Sequence, residues 1–161
     1  MQVPARLSLA LLIAFLALPA SAQKCDPTLW KHVYHGKFAT GKDRLNVIKA
    51  CITVTGTVMS APSEADGDYH IRIKLDTEFK SLLNAKNKSG QHGFLVAEPM
   101  CEVKPKQQDT LDEGVCKGFN QTIFKRKTTL GKRVQITGAY VQDREHGWRE
   151  IHPVTSIKII E

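Results

Sequence analysis

A period-two pattern of β-branched residues, interrupted twice by a glycine, most constrains what this chain can fold into. Residues 50–59 (ACITVTGTVM) alternate Ile52, Val54 and Val58 with Cys51, Thr53, Thr55 and Thr57, the repeat of a half-buried strand. Gly56 breaks the run, and residues 133–142 repeat the device as V-Q-I-T-G-A-Y-V around Gly138. A glycine inside a strand marks a bulge or a sharp coil. Residues 68–76 carry the cleanest alternation. Tyr69, Ile71, Ile73 and Leu75 face one way, and Asp68, His70, Arg72, Lys74 and Asp76 the other. A third strand is expected at 93–98, stopped by Pro99, and a fifth over 148–160.

Between the strands the signals are weaker. Phe79, Leu82 and Leu83 recur at helical spacing behind Asp76, which predicts a short helix with Asp76 as its N-cap. Residues 84–92 read as a polar loop, and residues 99–131 as a long connection. Within that connection Thr110 and Glu113 have capping-box spacing, so a turn or two of helix is expected between Cys101 and Cys116. The basic stretch Lys125-Arg126-Lys127 reads as a solvated loop.

Five strands, glycine bends in the first and fourth, and a long helix-bearing link between the third and fourth resemble the OB-fold. The expected class is therefore mainly β: a five-stranded OB-fold-like Greek-key barrel with one or two short helices. The pairing of DGDYHIRIKLD (66–76) with VQITGAYVQDREHGWREIHPV (134–154) is similar to a group of exported bacterial OB-fold-like proteins of unestablished function. That resemblance covers most of the chain and implies a fold, without an activity.

Export is read from the first residues. Arg6 precedes an apolar run over 7–18 (LSLALLIAFLAL), and Ala20 and Ala22 supply an A-x-A cleavage pattern. The expected organisation is a signal peptide at 1–22, an N-terminal arm at 23–43 packed by its aromatics, and the β domain at 44–161. About 12 apolar residues are too few for a bilayer, which needs roughly 20, so no membrane span is expected after cleavage. The mature product is expected in a periplasm or outside the cell. There, Cys25, Cys51, Cys101 and Cys116 are expected to be oxidised. Three pairings are possible, of which Cys25–Cys51 with Cys101–Cys116 is preferred. No C-x-x-C pair is present, and the spacings suit no common zinc module. Loss of Arg6 lowers the formal charge from +7 to +6, which makes polyanions conceivable partners without specifying one.

The loop at 60–68 and the turn at 143–147 would flank the usual OB-fold binding face. They carry the candidate ligand-binding residues: Asp66, Asp68, His70 and Arg72 from one side, His146, Trp148, Glu150 and His152 from the other. Three functions compete: a binding module of unknown ligand with Trp148 as an apolar platform, a metal-dependent hydrolase or nuclease, and a purely structural or protein-interaction domain. The first is preferred, with no catalytic residue, metal ligand or cofactor assigned. Single-stranded nucleic acid gains from the net charge. It lacks support on the polar side of the second strand, where no aromatic platform accompanies Arg72 and Lys74. Secreted thermonucleases have a similar acidic-then-Arg segment, but Arg72 follows Asp68 by only four residues on one strand, unlike the arrangement in those enzymes.

Overall fold

The computed structural model describes residues 24–38 and 44–161. The expected signal peptide at 1–22 and its cleavage point lie outside the described residues. The protein is mainly β, with eight named elements. These are β1 (Leu45–Ser60), β2 (Ile71–Leu75), α1 (Ala85–Gly90), β3 (Leu95–Ala97), α2 (Gln108–Glu113), α3 (Arg126–Thr129), β4 (Arg133–Asp143) and β5 (Arg149–Ile159). Three short 3-10 helices, Pro27–His32, Gly36–Phe38 and Thr77–Leu82, complete it.

The five strands form one mixed sheet. β1 pairs antiparallel with both β2 and β4, β2 with β3, and β4 with β5, while β3 and β5 run parallel. The order is thus β1-β2-β3-β5-β4, returning to β1. The alternation seen in the sequence explains the core. Val54 and Val58, Ile71, Ile73 and Leu75, and Val134 and Ile136 all point into one apolar cluster with Leu95, Phe124, Tyr140, Ile151 and Val154. Thr53, Thr55 and Thr57 lie on the other face of β1, half-buried.

The two glycines do different work. At Gly138 the β4–β5 register shifts, the bulge expected of it, and an added Cβ would lie 2.4 Å from the Pro153 carbonyl oxygen. Gly56 is no bulge. It pairs with Leu75 on one side and Val134 on the other, and an added Cβ would meet the Lys74 carbonyl oxygen at 2.5 Å. Close approach of β2 to β1 is what requires glycine there.

Both disulfides form as preferred, Cys25–Cys51 and Cys101–Cys116. They fit an oxidising compartment. No helix among the described residues is long and apolar enough to cross a membrane.

Several local expectations are corrected. β1 starts five residues before the run at 50–59, and β2 begins at Ile71, leaving Asp68 and His70 on the approach to it. Asp76 occupies an N-cap position but makes no cap bond; its carboxylate takes Arg133 and Thr55 instead. The stretch at 84–92 contains α1, held by a reciprocal capping box between Asn84 and Asn87. Thr110 sits inside α2, whose N-cap is Gln107, so no Thr110–Glu113 box exists. Glu113 accepts from the backbone N–H groups of His35 and Gly36. The basic stretch at 125–127 enters α3. The arm is helical in two short turns, and it buries Leu29 and Val33 against Leu45, Met100, Ala139 and Val141.

Candidate functional site

A cleft of about 420 Å³ opens between the loop after β1 and the β4–β5 turn. Its lining includes Asp66 and His70 from the first, Arg72 from β2, Asp143, His146 and Trp148 from the second and its flanks, and Tyr34, Arg44, Gln91 and Glu98 from elsewhere. Five of the sequence-derived candidates therefore line one cavity: Asp66, His70, Arg72, His146 and Trp148. The other three, Asp68, Glu150 and His152, are buried beneath it. Trp148 stands just before β5, with its indole bonded to Glu150, and His152 follows beside Glu150. Their surroundings differ, because Glu150 and His152 are covered completely.

The wall is aromatic. The His146 and Trp148 rings stack with centroids 4.3 Å apart and planes 4° apart, and His70 meets the indole edge-on at 5.8 Å. The indole N–H donates to Glu150 Oε2 at 2.8 Å, which fixes the ring's rotation. Asp143 shapes the turn: its Oδ1 accepts from the backbone N–H groups of Glu145 and His146, and its Oδ2 faces His146 Nδ1 at 3.1 Å.

Glu98 is the hub of the floor. Its Oε1 accepts from His70 Nδ1 and its Oε2 from His152 Nδ1, each at 2.9 Å. Burial alone would raise this carboxyl, but bonds from His152 and His70 hold it well below the usual glutamate range. Gln91 fixes the charge of His70. Arg72 Nε donates to Gln91 Oε1 at 2.7 Å, so that atom is the amide oxygen, and His70 Nε2 must donate to it at 3.0 Å. A ring that donates from both nitrogens is an imidazolium. Burial opposes that charge, and the bond to Glu98 outweighs it, raising His70.

His152 is pulled the same way. Its Nδ1 lies between Glu98 Oε2 and Glu150 Oε1, the second at 3.2 Å. Burial works against its charge, yet the bonds to Glu150 and Glu98 push it up to about 10. Asp68 is raised too, toward its neutral form: burial, reinforced by neighbouring Asp66, lifts it well above the aspartate range, although Oδ1 accepts from the Cys101 N–H at 2.7 Å. Burial and then Glu98 raise Glu150 as well. Arg44, over the Tyr34 ring at 5.8 Å, sits 3.8 Å from Asp143 and 4.0 Å from Glu98. Its Nε makes no hydrogen bond.

Comparison with family models, with curated proteins and with solved structures finds no match to this chain. Its chemistry is therefore read from the site itself. Sequence reasoning missed Arg44, Gln91 and Glu98 as site residues. Glu98 did leave a signal: a carboxylate closing the apolar run G-F-L-V-A before Pro99 is a charge at the end of a buried strand. Arg44 and Gln91 left none, because each gains its meaning from partners far along the chain.

Proposed function

We propose that this chain is an exported, OB-fold-like binding module that takes a small, charged polar ligand in the cleft. The strand order β1-β2-β3-β5-β4 with β3 parallel to β5 supports the fold reading, and the two disulfides support the exported one. The observation that carries the function is the cleft's preorganisation. Arg44, His70, Arg72, Asp66 and Glu98 present both signs of charge into about 420 Å³ beside a stacked His146–Trp148 wall. Small-ligand sites have this form, a concave volume with a few polar groups already fixed. The carboxylates in the lining count against a polyanion. Single-stranded nucleic acid would also need further aromatic platforms.

The test follows Trp148 emission in a Trp30→Phe background while an amino acid, a monosaccharide and a mononucleotide are titrated separately. A saturable change with one of them, abolished by Arg72→Met, is the expected result. Anisotropy of a labelled single-stranded oligonucleotide runs alongside and is expected to stay flat. A salt-sensitive rise would replace this reading with nucleic-acid binding, and a progressive fall with nuclease activity. No response to any of the four probes would leave the cleft without the proposed role.

A further inference from the structure

His152 is completely buried, and one of its two ring nitrogens is fully used. Nδ1 faces Glu98 Oε2 and Glu150 Oε1 at 2.9 and 3.2 Å. The ionised Glu98 only accepts and is the nearer partner, with Arg44 Nη2 at 3.5 Å, so Nδ1 carries the proton whatever the state of the ring. Nε2 is left over. It makes no hydrogen bond, and the carboxylate oxygen it faces, Asp68 Oδ2, is 3.8 Å away, beyond hydrogen-bond reach. Asp68 is held to present that oxygen, because the Cys101 N–H takes Oδ1. A buried polar atom without a partner is destabilising, and this one is aimed at a carboxylate across a gap.

We propose that the gap is a binding site for a first-row divalent transition-metal ion, ligated by His152 Nε2 and Asp68 Oδ2 beneath the cleft floor. Metal–ligand lengths of about 2.1 Å on each side span 3.8 Å at an open angle of about 130°. Glu98 stands in the same cluster, with donor atoms of Asp68, Glu98 and His152 all within 4.8 Å of one another. By holding Nδ1–H, Glu98 fixes the tautomer that turns the Nε2 lone pair toward the ion, as carboxylates behind metal-ligating histidines do. The carboxyl groups of Asp66, Asp68, Glu98, Asp143 and Glu150 crowd this region, and a cation beside Asp68 offsets their mutual repulsion. The imidazole nitrogen selects zinc, copper, iron or nickel over calcium and magnesium. The nearby sulfurs of Cys101 and Cys116 are joined in a disulfide and are not ligands. Water completes the coordination.

The experiment uses the chelator-treated protein with both disulfides intact. Zinc is titrated calorimetrically, and cobalt is followed by visible absorption. The expected result is one ion per chain, a raised Tm, cobalt bands of a nitrogen- and oxygen-ligated centre, and no competition from calcium. Asp68→Asn keeps an acceptor for the Cys101 N–H and should weaken zinc by at least about tenfold while holding its fold. His152→Gln should abolish binding, and circular dichroism checks that it folds. His92→Asn removes an exposed histidine outside the cleft lining and should bind zinc as the native protein does. Absence of stoichiometric binding to the native protein overturns the proposal. Binding that survives Asp68→Asn or disappears with His92→Asn also overturns it. The titration reads metal alone, without a cleft ligand, so its failure is separate from failure of the binding-module reading.

Discussion

Asn87 shows how much one buried side chain can organise. All of its amide is spoken for: Nδ2 donates to the carbonyls of Phe94 and Arg149, and Oδ1 accepts from the N–H groups of Asn84 and Arg149. Asn84 adds a bond to the Gly147 carbonyl at 2.8 Å. Together they clamp the β4–β5 turn that presents Trp148. In Asn87→Ala the backbone groups of Phe94 and Arg149 lose their partners in a buried setting, at about 1–3 kcal/mol for each group left unsatisfied. The expected loss is about 2–4 kcal/mol in denaturant unfolding, with a red shift of Trp148 emission as the turn loosens. A loss well below that range, with unchanged emission, would show that water replaces the amide. None of this was legible in the sequence, where residues 84–92 read as a polar loop. A helix of six residues has too few apolar positions to show a period, and the partner at Arg149 is 62 residues away. At Glu98 the carboxylate showed at the end of an apolar run, but its partners His70 and His152 lie far along the chain and did not.

Strands were legible because their signal is local. Ile71, Ile73 and Leu75 alternate with Arg72 and Lys74 in the sequence and do the same in burial, and Gly138 announced the bulge at which β4 shifts against β5. Caps were less legible, since a carboxylate beside a helix start has other partners to choose from. Asp76 is the clear case. It sits where β2 ends, and its Oδ2 accepts from Arg133 Nε and Nη2 at 3.1 and 2.7 Å and from the Thr55 hydroxyl. One carboxylate thereby ties β1, the end of β2 and the start of β4. The bond from Arg133, then that from Thr55, lowers its pKa below the ordinary aspartate value. A depressed folded-state pKa means the charged form is favoured in the native protein. The stabilisation is then fully present above the unfolded-state value and is lost as pH falls through the folded-state one. Asp76→Asn should therefore lower Tm at neutral pH, and its gap from the native protein should close in acid, below about pH 4. Thermal scans of both proteins across that range test this, and a gap of constant size would mean that shape, not charge, makes the contact.

At the scale of the whole molecule, the question is whether the arm and the sheet are one cooperative unit. β4 answers it through its two faces. Val134, Ile136 and Tyr140 enter the core inside the sheet, whereas Ala139 and Val141 point outward and are covered by Leu29 and Val33 of the arm. Burying those two side chains is worth roughly 1.5–3 kcal/mol each. The cost of ordering the arm is reduced by Cys25–Cys51, which anchors it to β1, and by Glu113, which grips it at His35 and Gly36. His32 adds a stack on Phe119 with ring centroids 3.6 Å apart. Held by the disulfide at Cys25 and by Glu113 at His35 and Gly36, the arm should not undock before the sheet melts. The two tryptophans make this measurable: Trp30 lies in the arm and Trp148 in the cleft wall. In Trp148→Phe, emission reports the arm alone while far-ultraviolet circular dichroism reports the sheet. Coincident denaturant midpoints are expected, as for a two-state domain. An earlier fluorescence transition would make the arm a separately opening element. It would also mean that Tyr34, and with it the cover over Arg44, leaves the cleft before the sheet unfolds.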